Sequence, residues 1–290
     1  TAENSIFTDE PMKKHTTFRV GGPADILVQP KGTELAAVIR LCRKYDVPYQ
    51  VIGNGSNLLV GDRGIRGLVI EMLSKEDEIC VEDDCITVGA GMLLSKTANR
   101  AAEHGLTGME FAAGIPGRIG GAVVMNAGAY GGEMKDILTA VTVLDQEGNE
   151  KILSAEELEL GYRTSCILKK GYIVTGAKIK LKHGEETAIR ARMEELKKQR
   201  VEKQPLEYPS AGSTFKRPEG YFAGKLIMDA GLRGYLVGEA QVSEKHCGFV
   251  INRGNATAAD VRTLMQNVAD IVEEKFGVRL EPEVKMIGEF

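Results

Sequence analysis

A glycine-rich loop that opens into a strand constrains the fold of this chain more than any other feature. The loop spans Gly53–Asn57 with the sequence Gly-Asn-Gly-Ser-Asn, and the apolar run Leu58–Val60 follows at once. A Rossmann fingerprint needs G-x-G-x-x-G at the start of a helix, but Leu58 stands in place of the third glycine and β-type residues follow. The sequence therefore excludes a Rossmann unit, yet it keeps a loop whose successive backbone N–H groups suit an anion.

A second glycine-rich segment covers Phe111–Gly132. The chain has 34 glycines in 290 residues, which is more than usual for a protein, and this segment holds a large share of them. Residues without bulky side chains let the backbone approach a ligand closely. Two such loops suit the two phosphates of a dinucleotide better than one loop does. Two structural alternatives stay open, namely a tight turn for Gly53–Asn57 and packing glycines for Gly120 and Gly121.

The order of strand and helix signals predicts a mixed α+β fold in more than one lobe. Predicted strands cover 25–29, 48–52, 86–90, 138–145, 172–181, 248–252 and 280–287, and predicted helices cover 92–104, 185–200, 223–230 and 257–275, with a short helix after the capping box of Ser154 and Glu157. The helix at 185–200 is dense in charged residues, which is typical of a solvated connector. A domain boundary near residue 200 follows.

Composition and charge exclude several classes of protein. A net charge of −4 and a pI near 5.8 argue against nucleic-acid binding, which needs clustered Lys and Arg. No apolar run approaches the roughly 18 residues that span a bilayer, and residues 1–15 lack the apolar stretch of a secretory signal, so we expect a cytoplasmic protein. The cysteines and histidines lack the spacing of a zinc site, so no metal is expected.

Seven motifs together resemble one family over nearly the whole chain, from about residue 16 to residue 288. They are Thr17–Ala24 (TFRVGGPA), Gly53–Leu59 (GNGSNLL), Gly114–Gly117 (GIPG), Met125–Gly131 (MNAGAYG), Tyr162–Ser165 (YRTS), Ala211–Lys216 (AGSTFK) and Leu280–Val284 (LEPEV). In this order they are similar to the UDP-N-acetylenolpyruvoylglucosamine reductases, the MurB family, and to its shorter branch. Individually, Arg163, Ser213 and Glu283 do not indicate a catalytic role, because a surface arginine, a serine in a turn and an exposed glutamate in a strand are common in proteins.

The resemblance implies a flavoprotein fold of the vanillyl-alcohol-oxidase (PCMH) type plus a C-terminal α+β domain. It predicts FAD-binding lobes at 1–75 and 76–200 and a substrate lobe at 201–290. FAD is the implied cofactor, NADPH the co-substrate and an enolpyruvyl UDP-sugar the substrate, handled by a monomer. The implied cofactor residues are Gly53, Asn54, Gly55, Ser56, Asn57, Leu58, Gly114, Ile115, Pro116, Gly117, Gly121 and Asn126, and the implied substrate residues are Tyr162, Lys203, Lys216 and Arg217.

The implied catalytic residues are Arg163, Ser213 and Glu283, with Ser213 as the proton donor and the other two as stabilisers of charge on the substrate. Two positions depart from the family pattern. Arg118 stands where a small hydroxyl residue is commoner, although a cation suits the same anion, and Arg217 replaces an asparagine of the longer branch. Two rival functions are a flavin oxidase of the same fold and a flavin-free UDP-sugar-binding protein.

Overall fold

The computed structural model describes residues 5–32, 34–74 and 78–290. Its strands are β1 (Ile6–Pro11), β2 (Pro23–Val28), β3 (Tyr49–Ile52), β4 (Leu58–Val60), β5 (Ile65–Glu71), β6 (Ile79–Glu82), β7 (Cys85–Gly89), β8 (Leu106–Thr107), β9 (Gly128–Ala129), β10 (Gly132–Glu133), β11 (Leu138–Leu144), β12 (Glu150–Ser154), β13 (Ile173–Lys180), β14 (Lys182–His183), β15 (Ser210–Ser213), β16 (Leu236–Val237), β17 (Ala240–Val242), β18 (Phe249–Asn252) and β19 (Lys285–Ile287). The helices are α1 (Glu34–Lys44), α2 (Leu94–Glu103), α3 (Ile119–Val124), α4 (Cys166–Lys170), α5 (Glu186–Lys203), α6 (Ala223–Asp229) and α7 (Ala258–Phe276). Four of the early strands form a sheet in the order β1-β2-β5-β3.

The chain divides into two compact units, each built from separate stretches of sequence. Unit 1 comprises Val28–Asn54 and Val69–Arg200 together with the residues up to Ile6, and unit 2 comprises Phe7–Leu27, Gly55–Leu68 and Val201–Phe290. The predicted boundary between residues 75 and 76 lies outside the described residues. The division into three lobes therefore stays a prediction.

Unit 1 is centred on a five-stranded antiparallel sheet in the order β12-β11-β13-β7-β6. Alternation of side chains along β11 buries Val141 and Val143, because successive residues of a strand point to opposite faces. Helix α2 buries a stripe of small and apolar residues, Leu94, Thr97, Ala98, Ala101 and Ala102, at the spacing of one helix face. Ala112 and Ile119, which flank the second loop, belong to this core.

Unit 2 is built on the antiparallel sheet β15-β18-β17-β16 and on the long helix α7. The buried stripe of α7, which consists of Val261, Leu264, Met265, Val268 and Val272, belongs to the core of this unit. Near its C-terminus the chain forms β19, which pairs in parallel with β4, Lys285 opposite Leu58. The predicted α+β class is confirmed.

Two predicted elements are wrong. Residues 155–159 form turns and no helix: the Ser154 and Glu157 capping bonds form, but Glu159 adopts a left-handed φ of 49°, which ends the turn. The terminal strand is shorter than 280–287, because Pro282 has no N–H to donate and makes only an isolated bridge to Phe215. No helix within the described ranges is long and apolar enough to cross a membrane.

Candidate functional site

The two glycine-rich loops meet within unit 1. Asn54 Nδ2 donates a hydrogen bond of 2.8 Å to the carbonyl oxygen of Pro116, which ties the first loop to the second. A methyl group in place of a hydrogen on Gly53 would lie 3.4 Å from Arg118 Cβ, so the arginine stem runs along the first loop. Gly114 and Pro116 are exposed at this junction. The two loops are therefore adjacent in the fold.

The guanidinium of Arg118 lies at this junction and is only partly hydrogen-bonded. Its Nη1 donates to the Gly91 carbonyl oxygen at 2.6 Å, whereas its Nε is buried and has no hydrogen-bond partner. Burial lowers the pKa of the Arg118 guanidinium, and the negative charge of Glu71 opposes that shift. The Glu71 carboxylate accepts a hydrogen bond of 2.7 Å from Gln29 Nε2. A polar group enclosed without a partner is costly, so its presence here needs an explanation.

A second arginine beside the same loop was not found by sequence reasoning. A Cβ on Gly114 would lie 3.3 Å from Arg200 Cδ and 3.4 Å from its Nη1. Burial lowers the pKa of the Arg200 guanidinium, and Tyr130 opposes the shift. The signal was available, because Arg200 follows the buried Ile189 and Leu196 on the same face of α5.

The two glycines with open interpretations now differ. A Cβ on Gly120 would come within 3.1 Å of Ala90 Cβ, so this glycine packs closely against Ala90. Gly121 is exposed, and a Cβ there would meet no described atom within 4 Å. Ile115 and Gly117 are partly buried in the loop, and the Gly117 carbonyl oxygen accepts from Leu94 N at 3.0 Å.

Arg163 lies at the tip of a tight turn in unit 1. Gly161 and Thr164 bond to each other through both backbone groups, at 3.1 and 3.3 Å, and leave Tyr162 and Arg163 between them. Arg163 adopts a left-handed φ of 55°, which is uncommon for a residue with a side chain. Its guanidinium carbon lies 5.3 Å from the centre of the exposed Tyr162 ring.

The buried side chain of Asn126 is hydrogen-bonded to this turn. It is 1% exposed, and its Nδ2 donates both to the Gly161 carbonyl oxygen at 3.1 Å and to Glu133 Oε2 at 2.6 Å. Its Oδ1 accepts from Lys135 N at 2.8 Å. Contact between Asn126 and a cofactor stays a prediction, whereas its link to the backbone before Arg163 is observed.

Ser213 and Glu283 are brought together in unit 2, although 70 positions separate them. Glu283 N donates to the carbonyl oxygen of Thr214, the residue after Ser213, at 2.8 Å. Asn57 Nδ2 in turn donates to the Glu283 carbonyl oxygen at 3.0 Å. Glu283 is 9% exposed, whereas Ser213 is exposed at the end of β15. Unit 2 thus brings the exposed Ser213 and the buried Glu283 together through a backbone hydrogen bond between their segments.

Gly55 is required by its own surroundings in unit 2. Its φ is +59°, and a Cβ would collide with the His15 carbonyl oxygen and lie 2.8 Å from Thr16 Cα. A larger residue is therefore excluded by the crossing of two backbone segments. Ser56 and Leu58 beside it are partly buried.

The three predicted substrate residues of unit 2 are basic. Lys216 pairs with Glu281 at 2.9 Å, and the Arg217 guanidinium carbon lies 4.0 Å from the centre of the Phe222 ring. Lys203 is exposed at the end of α5. In the described part of the chain, no group of three His, Cys, Asp or Glu residues could hold a metal ion.

Comparisons with known proteins match both parts of the chain. Residues 24–154 match a family model described as an FAD binding domain, and residues 204–287 match the C-terminal domain of UDP-N-acetylenolpyruvoylglucosamine reductase. The reductase of that name from Agathobacter rectalis is 59% identical, over 98% of this chain and 95% of that protein. This chain belongs to the UDP-N-acetylenolpyruvoylglucosamine reductase family.

Further relatives support membership of the reductase family at the level of sequence and of fold. The reductase of Lachnoclostridium phytofermentans is 58% identical, over 98% of this chain and 93% of that protein. The crystal structure of UDP-N-acetylenolpyruvylglucosamine reductase (MurB) from Thermus caldophilus matches with a TM-score of 0.82 and 40% identity, over 97% of both chains. The resemblance seen in the seven motifs is thereby confirmed.

Proposed function

We propose that this chain is an FAD-containing reductase that uses NADPH to convert UDP-N-acetyl-3-O-(1-carboxyvinyl)-glucosamine into UDP-N-acetylmuramate, a step of peptidoglycan precursor synthesis. One observation carries the proposal: an FAD binding domain and the C-terminal domain of this reductase occur together in a chain that covers nearly the full length of its relatives. The family supplies the substrate class, and the site supplies groups suited to it.

The residues present fit FAD. The two glycine loops, of which the first is partly buried and the second exposed at Gly114 and Pro116, are linked by Asn54 and lie beside the partly buried Arg118 guanidinium, which has an unpaired donor. Backbone amides and a cation suit the pyrophosphate of a dinucleotide. Residues 53–58, 114–117 and Gly121 would hold the cofactor. When bound, FAD carries a hydride from NADPH to the methylene carbon of the substrate.

Arg163 and Glu283 have the task of stabilising charge on the substrate. Addition of a hydride to the methylene carbon moves electrons toward the substrate carboxylate, and a nearby cation with several donors lowers the energy of that state. The tight turn and the bonds of Asn126 fix the Arg163 backbone before substrate arrives. Preorganisation of this kind avoids reorganisation during the reaction.

Ser213 has the task of completing the reduction. Its Oγ–H gives a proton to the carbon that bears the carboxylate. A hydroxyl is a weak acid in water, but a carbanion-like carbon is a much stronger base, so the transfer is downhill once the two atoms are aligned. The exposure of Ser213 at the end of β15 supports this role, because the hydroxyl is open to a ligand.

The remaining assignments belong to the same proposal. Tyr162, Lys203, Lys216 and Arg217 contact the UDP-sugar, since their cationic or aromatic groups suit a diphosphate and a base. Lobes 1–75 and 76–200 hold FAD, and lobe 201–290 holds the substrate. The enzyme acts as a monomer in the cytoplasm.

Anaerobic mixing tests the function. The purified yellow protein should lose its visible flavin absorbance on addition of NADPH and regain it on addition of the enolpyruvyl UDP-sugar. A colourless protein that binds the UDP-sugar would favour the flavin-free binding protein. Reduction by NADPH followed by rapid oxygen uptake, with no recolouring by the substrate, would favour the oxidase.

Ser213→Ala should separate the two half-reactions. Bleaching by NADPH should keep its rate, because Ser213 has no part in it, whereas recolouring by substrate should slow by roughly 10²- to 10⁴-fold, as for loss of a positioned acid. Ser213→Cys should recover part of the loss. The control is Ser210→Ala in the same strand, which should behave as the unmodified protein. Normal recolouring of Ser213→Ala would show that the proton comes from another group.

A further inference from the structure

Arg118 is held in place at the junction of the two glycine loops. Its backbone is extended, with φ −102° and ψ 156°, and bridges to Leu93. Its Cβ, Cδ and Cγ would lie 3.4, 3.6 and 3.7 Å from a Cβ on Gly53, so the stem follows the first loop while the backbone belongs to the second. The direction of the guanidinium is therefore fixed by both loops.

The guanidinium is anchored on one side and open on another. Nη1 is occupied by the Gly91 carbonyl oxygen, and Nε is enclosed without a partner. Nη2 makes no hydrogen bond to a described residue and is not among the enclosed atoms, so solvent reaches it. Among the described residues no carboxylate forms an ion pair with Arg118. Glu71 compensates part of the Arg118 charge without a direct ion pair, and a bound anion would compensate the rest.

We infer that Arg118 is a phosphate-binding residue for FAD, whose guanidinium pairs with the cofactor pyrophosphate. The inference deepens the proposed function and rests on it. A guanidinium offers two parallel donors and a permanent charge, whereas a hydroxyl offers one neutral donor. FAD binding by this chain therefore depends on ionic strength through Arg118, because the attraction between the charges is screened by salt.

A purely structural role for Arg118 and a phosphate-binding role predict different effects of its removal on the stability of the FAD-free protein. If the arginine served only to pin Gly91 to the loops, its removal would destabilise the FAD-free protein. If it serves to bind phosphate, the unpaired cation is a burden in the FAD-free protein, and its removal should leave the melting temperature equal or higher. The two roles thus predict changes of opposite sign in the melting temperature of the FAD-free protein.

The test uses the full-length protein with and without FAD. Arg118→Gln removes the charge and keeps a neutral amide donor, which ends nearer the backbone than the Nη1 that bonds to Gly91. Its dissociation constant for FAD should rise roughly 10- to 100-fold at about 50 mM KCl, as expected for loss of a charge-assisted bond, and the difference should shrink at about 500 mM KCl. Its melting temperature should be no lower without FAD and lower in saturating FAD.

Two further variants control the test. Arg40 also donates to a carbonyl oxygen, that of Gly148 at 3.0 Å, so Arg40→Gln makes the same change of charge elsewhere in unit 1 and should not change FAD binding. Arg118→Lys keeps the charge, and it should keep the dependence on KCl with a smaller loss of affinity; this variant decides the matter if Arg118→Gln does not fold.

Two results would overturn the inference. Equal FAD affinity and equal salt dependence in Arg118→Gln and the unmodified protein would exclude a phosphate contact. If Arg118→Gln lowers the melting temperature of the FAD-free protein, and its loss of affinity for FAD is the same at every KCl concentration, the role of Arg118 is structural. Failure of the unmodified protein to bind FAD at all would instead refute the proposed function itself.

Discussion

Asn126 shows how one buried side chain can hold the turn that carries Arg163, which we propose as a catalytic residue. Its three hydrogen bonds join the Gly161 carbonyl oxygen, Glu133 and Lys135, and its left-handed φ of 44° is one that asparagine tolerates better than most residues. Asn126→Gly keeps this backbone conformation and removes the bonds. We expect kcat to fall roughly 10- to 100-fold, because a small displacement of the Arg163 turn misplaces its charge. Steady-state kinetics with full FAD occupancy checks this.

The same variant separates positioning from cofactor contact. A lower affinity for FAD with an unchanged kcat per bound flavin would place Asn126 in the cofactor site, as the motif alone predicts. Asn149→Gly, which removes an asparagine from another turn of unit 1, serves as the control and should leave kcat unchanged.

Single residues were predictable from sequence only where a motif marks them. Arg163, Ser213 and Glu283 were proposed through the family motifs alone, because no local pattern joins positions 213 and 283. The backbone bond from Glu283 to Thr214 supplies the link, and it is a contact between distant segments. Arg200 was missed because the many charged residues of its helix indicated a solvated connector, although its spacing from Leu196 places it on the buried face of that helix.

Helix α7 shows how a long element depends on a distant segment. Thr257 Oγ accepts from Asp260 N at 3.0 Å, and the Asp62 carboxylate accepts from Ala258 N at 2.7 Å and from Ala259 N at 2.9 Å. Three amides at the helix start are thereby satisfied. We expect Thr257→Ala and Asp62→Ala each to lower the free energy of unfolding by about 1 kcal/mol, the usual value for a helix cap. Urea denaturation measures it.

Thr263→Ala is the matched control, because Thr263 is exposed in the middle of α7. Alanine has the higher helix propensity, so this variant should be slightly more stable than the unmodified protein. Equal destabilisation by Thr257→Ala and Thr263→Ala would mean that the cap contributes nothing.

Helices and long strands were the elements that sequence patterns located best. The cap at Thr257 and the apolar stripe placed α7 within a residue or two, and alternation located β11 and β13. Short strands such as β16 and β17 went unpredicted, because two or three residues carry too little periodicity. The parallel pairing of β4 with β19 was also beyond the sequence, since it joins segments more than two hundred residues apart.

At the scale of the whole molecule, the chain enters each compact unit more than once. Sequence reasoning divides a chain at linkers and composition changes, so it proposes continuous lobes. A unit assembled from separate stretches such as Phe7–Leu27, Gly55–Leu68 and Val201–Phe290 leaves no such mark, because its contacts form only on folding. The motifs marked the two glycine loops that we propose bind FAD, since such loops depend on local backbone geometry.

The acid stability of the whole chain should depend on one turn. Asp145 joins β11 to β12, and its side chain is only 8% exposed. The backbone hydrogen bond from Asn149 is the main cause that lowers the pKa of Asp145, from 3.8 to about 2, with help from Lys151 at 3.1 Å and Glu147 N at 3.0 Å. These bonds favour the carboxylate over the protonated acid.

Because folding lowers the pKa of Asp145, its contribution to stability is fully present above about pH 4 and is lost as the pH falls toward 2. Asp145→Asn carries no charge at any pH, so the melting temperature of the FAD-free variant should lie below that of the unmodified protein at neutral pH. The gap should stay constant down to about pH 5 and then narrow between about pH 4 and pH 2. Glu150→Gln removes an exposed carboxylate on the adjoining strand and should show a gap near zero throughout. Thermal unfolding followed by circular dichroism across this range measures the gap, and a difference for Asp145→Asn that stays constant down to pH 2 would show that the charge of Asp145 does not stabilise the fold.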